Sequence, residues 1–160
     1  MAKGKIMLTR RPLHSHIFAL MLCLGLPLSA YGEIYKDYQP TEQQVVMTVI
    51  AVEPNYLDDY LTQLKRTWVR AMAVQKDLGF VVDYAVWTSD SANTPNVWLT
   101  ITYENMAAMQ PSKARYDQVN AEIEARYGDE EEALDAIAKG YEEIRKMVDH
   151  QIINRVEFID

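Results

Sequence analysis

Catalysis or metal binding in this chain would have to be built from three histidines, one cysteine and 23 carboxylates. His14, His16 and Cys23 all fall in the first 32 residues, which leaves His150 as the one histidine of the remaining sequence. An imidazole titrates near neutrality, so His150 is the candidate acid–base group, and the only candidate for haem ligation. The plainer reading places it at the exposed C-terminal end of a helix, where a cation complements the dipole. No Glu-x-x-His or His-x-His spacing surrounds it, so no metal site is expected. Met106 and Met109 stand at i, i+3, a spacing open to copper(I) but shared by ordinary core methionines. The acids Glu130, Glu131 and Glu132 are consecutive, which suits the first turn of a helix rather than a calcium loop. Gly-x-Ser-x-Gly is absent and the six glycines are not clustered, so neither a nucleophile elbow nor a phosphate loop is present. No cofactor is expected.

A polar–aromatic set remains. In 97–103 (VWLTITY) strict strand alternation puts Trp98, Thr100 and Thr102 on one face. Asp83 and Trp87 join them if the register of the preceding strand allows, and Arg155 and Glu157 extend the set. Aromatic walls with a few polar groups suit a small hydrophobic or aromatic ligand. The competing reading makes Trp87 and Trp98 anchors of a subunit interface, where tryptophan is enriched.

Two further features bound the function. Residues 1–32 combine Lys3, Lys5, Arg10 and Arg11, an apolar run at 17–28, and small residues at 29–32. That is the pattern of a cleaved secretory leader, with cleavage after Ala30 or Gly32, and an uncleaved anchor is the alternative. A periplasmic or secreted protein is expected, without stable membrane insertion after cleavage. Leu22 before Cys23 is large where a lipoprotein signal has a small residue. Removing 1–32 takes away four bases and no acid, moving the formal charge from −7 to −11. Such a balance argues against nucleic acid as a partner. With Cys23 gone no disulfide can form, and a packed core must supply the stability.

The elements that would position these residues follow in order. Residues 33–44 are polar, contain Pro40 and read as an N-terminal arm. The domain proper is 45–160. It opens with 45–52 (VVMTVIAV), apolar on both faces as a central strand would be. Residues 56–78 form an amphipathic helix with Leu57, Tyr60, Leu61, Leu64, Trp68, Met72, Gln75 and Leu78 on its stripe, closed by Gly79. The stretch 80–103 is a hairpin whose aliphatic face carries Val97, Leu99, Ile101 and Tyr103. A helical start at 104–110 is interrupted by Pro111. A helix capped by Ser112 ends at Gly128, and another runs from Asp129 as far as Val148. The final strand is 151–159.

This α+β order, β-α-β-β-α-β with an extra helix, resembles the ferredoxin-like unit and, more narrowly, the dimeric α/β-barrel superfamily. The carrying features are the doubly apolar first strand, the VWLTITYENMAAM junction and the alternating NRVEFI. The resemblance implies a homodimer in which two sheets face each other. A helix-backed sheet would otherwise expose Val46, Ile50 and Trp98 on its far side, more apolar surface than solvent tolerates. The expected function is a non-catalytic binding or structural protein. The resemblance offers as alternative a cofactor-independent monooxygenase acting on a small aromatic substrate, with Asn96, Trp98 and His150 as its site groups.

Overall fold

β-Branched and aromatic residues dominate 45–52, 83–88 and 97–103, and all three stretches are strands. The computed structural model describes residues 32–90 and 94–160. Residues 1–31, which hold nearly all of the leader expected at 1–32, and residues 91–93 lie outside the described residues. Strand β1 (Tyr38–Val52) leads to helix α1 (Leu57–Leu64), one turn of π-helix (Lys65–Val69) and helix α2 (Arg70–Asp77). Strands β2 (Asp83–Thr88) and β3 (Val97–Tyr103) form the hairpin. Helices α3 (Lys113–Tyr127) and α4 (Glu131–Ile144) precede strand β4 (Arg145–Phe158). The four strands make one antiparallel sheet in the order β2-β3-β1-β4, so the doubly apolar first strand is indeed central. Glu33–Asp160 forms one compact unit. Among the described residues no helix is long and apolar enough to cross a membrane.

Each end of the helical segment has a local cause. At its close, Gly79 adopts φ +73°, its N–H donates to Lys76 O, and the Phe80 N–H donates to Gln75 O. This is a Schellman closure, which the left-handed glycine makes accessible. The π-turn inserts a residue and shifts the phase of the stripe. Val74, outside the predicted stripe, is fully buried. Ser112 caps α3 through Arg115 N–H, as its position before the helix predicts. The expected start of a helix at 104–110 is a single 3-10 turn, Ala107–Met109.

The core joins Ile50 and Val52 of β1, Val97 and Leu99 of β3, Tyr60 and Leu64 of α1, and Tyr141 of α4. Register fixes which face this is. Ile50 pairs with Val97, Val46 with Ile101, and Tyr84 with Ile101 from the other side. Val46 and Ile50 therefore lie on the helix-packed face and are buried, not on the far face as expected. The hairpin's aliphatic residues set the parity: once Val97 and Leu99 face the helices, so must their directly opposed partners. Val45, Met47 and Val49 take the far-face positions instead.

Two boundaries also differ from expectation. The arm 33–44 is strand from Tyr38, which pairs with Phe158, and a register shift between Pro40 and Gln44 accommodates the proline. Backbone pairing needs no apolar side chains, and the long β4 supplies the partner. Helix α4 stops at Ile144 rather than Val148, and β4 begins at Arg145 opposite Val52. The helical spacing of Ile144 and Val148 yields there to the ladder offered by the length of β1. His150 is accordingly a strand residue beside Thr48, not the last turn of a helix.

Candidate functional site

The face of the sheet away from the core gathers most of the predicted set. Asp83 stands opposite Thr102, Ala85 opposite Thr100 and Trp87 opposite Trp98. On the other flank Thr102 meets Val45, Thr100 meets Met47 and Trp98 meets Val49. Ile153 and Gln151 complete the rows from β4. Directly opposed residues of a sheet project to the same side. The register thus answers the question left open by the sequence: Asp83 and Trp87 do join Trp98, Thr100 and Thr102. Every helix of the core packs on the opposite side.

Several polar groups of this face already have partners. Trp87 Nε1–H donates to Thr100 Oγ1 at 3.1 Å. The Asp83 carboxylate accepts from Lys76 Nζ at 2.7 Å. That bond, with a second from the Tyr84 backbone, holds the Asp83 carboxyl below its ordinary value, and the same contact raises the Lys76 ammonium. Arg155 and Glu157 lie on the β1–β4 ribbon beyond the end of β3, 3.8 Å apart. They extend the rim but do not border Trp98. The result is a broad aromatic and aliphatic surface with polar edges.

Asn96, Trp98 and His150 do not converge. Asn96 is buried, and both ends of its amide are used: Oδ1 accepts from Val52 N–H at 2.9 Å and Nδ2 donates to Val52 O at 3.0 Å. Trp98 projects to the uncovered face. His150 pairs with Thr48, on the opposite parity, and its Nδ1 lies 3.0 Å from Thr48 Oγ1. Met106 is half exposed and Met109 follows it on the 3-10 turn. Among the described residues no group of three His, Cys, Asp or Glu side chains is placed to hold a metal.

Sequence reasoning missed a cluster on the helix side. Arg145, the first residue of β4, lies 4.3 Å above the ring of Tyr141 and donates through Nη1 to Tyr60 Oη at 3.0 Å. The two rings meet edge to face at 5.5 Å. Thr67, in the π-turn, bonds Tyr141 Oη. Burial pushes the Tyr60 phenol up, with Arg145 pulling the other way, and burial pushes Tyr141 up as well. No spacing in the sequence joins residues 60, 67, 141 and 145; the early end of α4 brings them together. Nearby, Glu130 accepts from Arg66 Nη2 at 2.9 Å and Arg70 Nη1 at 3.0 Å, which ties the π-turn to the start of α4.

These features define a small α+β protein with one antiparallel four-stranded sheet, helix-packed on one face. A solved structure with a distant similarity is the crystal structure of HapK from Hahella chejuensis, at 15% sequence identity and a TM-score of 0.39, covering 70% of this chain and 91% of that one. No protein-family model matches the chain. No curated protein matches it either.

Proposed function

We propose that this is an exported homodimer of the ferredoxin-like, dimeric α/β-barrel type, serving as a small-molecule binding or structural protein without catalytic chemistry of its own. In this reading the uncovered faces of two sheets meet, and a small hydrophobic or aromatic ligand is held between them by Trp87, Trp98, Thr100 and Thr102. The observation that carries it is the register placing Trp87, Trp98, Val45, Met47, Val49 and Ile153 on one face that no core helix covers. Trp87 is exposed on that face while Val49 is already buried, and an exposed tryptophan rimmed by polar groups marks an interaction surface. A second copy is the favoured occupant because the rim carries both signs, with Asp149 and Glu157 against Lys146 and Arg155. The strand order β2-β3-β1-β4, with α1 and α4 on one side, supports the ferredoxin-like assignment.

Trp98 reports on the interface if Trp68 and Trp87 are replaced by phenylalanine. Its emission is expected to resist iodide at high protein concentration and to become quenchable on dilution. Quenching that is equal at every concentration would remove the second copy from the account. Oxygen uptake with an aromatic hydroquinone is expected to stay at the level of a His150→Ala control. Turnover above that level would restore the monooxygenase reading.

A further inference from the structure

At the end of the sheet marked by Tyr103, a cleft of about 240 Å³ opens between the close of α2 and the start of α3. Its walls include Phe80, Tyr103, Met109, Tyr116 and Val119, and Arg115 is the one charged side chain that lines it. The Arg115 guanidinium lies 5.1 Å above the Phe80 ring and donates through Nη1 to Ala108 O. Among the described residues it has no carboxylate partner, in a chain of formal charge −7. The other arginines of α2 and α3 are paired: Arg70 with Glu130, and Arg126 with Asp77 and Glu122.

We infer that this cleft is a binding site for a monocyclic aromatic carboxylate. A cavity of roughly 150 Å³ lined by apolar side chains takes a benzene ring, so the volume here suits one substituted ring. Aromatic and thioether walls favour the ring through stacking and sulfur contacts. A guanidinium with one nitrogen fixed on a backbone carbonyl keeps its remaining N–H groups for a carboxylate, in the planar fork that suits that group. No acidic side chain lines the cleft to compete for them. Burial pushes the Tyr103 phenol up while Arg115 draws it down, so at neutral pH it is a neutral wall and hydrogen-bond donor. The site lies apart from the uncovered sheet face and does not depend on the dimer.

Benzoate is the probe, titrated into the purified protein and followed by methyl and arginine side-chain NMR. Saturable shifts are expected at Met109 and at Arg115 Nε–H. Ala108→Phe, which fills the cleft with its side chain while keeping the backbone carbonyl that accepts from Arg115, is expected to abolish them, and Arg115→Leu to weaken binding about ten-fold or more. Benzyl alcohol has the same ring without the charge and tests the unaltered protein, so the comparison survives if a variant fails to fold. It is expected to bind about ten-fold more weakly than benzoate. Absence of shifts, shifts confined to other residues, or shifts unaffected by Ala108→Phe would overturn the site. Equal binding of benzoate and benzyl alcohol would overturn the anionic class of ligand.

Discussion

Asn96 grips Val52 by both of that residue's backbone polar groups, tying the end of β1 to the chain entering β3. The amide is buried, and so is the backbone it satisfies. Ala in its place would leave a buried N–H and a buried C=O unpaired, each at about 1–3 kcal/mol. Asn96→Ala is therefore expected to lower the unfolding free energy by roughly 2–6 kcal/mol, measured by urea titration. A loss under about 0.5 kcal/mol would mean that water reaches the pair.

The Tyr60–Arg145–Tyr141 cluster predicts an alkaline limit to stability. Both phenols are raised, chiefly by burial, so folding favours their neutral forms. Their contribution is fully present below the unfolded value near pH 10 and is lost as pH rises through the folded values. Stability is expected to fall above about pH 10, and Tyr60→Phe to flatten part of that fall. Arg145→Leu removes the hydrogen bond and charge that lower the Tyr60 value, so absorbance titration of that phenol should move to higher pH. An unchanged Tyr60 titration in Arg145→Leu would detach the guanidinium from the ring.

Glu130 makes the opposite prediction at acid pH. Hydrogen bonds from Arg66 and then Arg70 hold its carboxyl below the ordinary value. That contribution is present above the unfolded value of about 4.3 and fades as pH falls through the folded one. Glu130→Gln should be less stable than the wild type at neutral pH. The difference should close on acidification, as followed by thermal melts from pH 7 down to about pH 2. Because the pair is partly exposed, added salt should also narrow it. A gap that persists at low pH would point to packing rather than charge.

Much of the sheet was legible because alternation and β-branching act locally. The VWLTITY strand declared its two faces, and Gly79 and Ser112 declared the ends of helices. What could not be read depended on pairing at a distance. The parity of Val46 and Ile50 follows from their partners on β3, and the residues 45–52 are apolar on both faces, so their own pattern offers no choice. Residues 145–150 carry helical spacing with no strand signature, and only the full length of β1 draws them into β4. The Asp83 and Trp87 positions were likewise open until the hairpin register fixed them. The Arg145 cluster and the Arg115 cleft join residues from distant elements, for which no local pattern exists.

Sedimentation of the purified protein, beside a Trp98→Asp variant, tests the proposed assembly most directly. The variant leaves the helix-packed face untouched while placing a charge on the uncovered one, between Trp87 and Val49. The wild type is expected to sediment as a dimer, and Trp98→Asp as a monomer with an unchanged circular dichroism spectrum. A wild-type monomer at high concentration, or a Trp98→Asp dimer, would contradict the pairing of sheet faces.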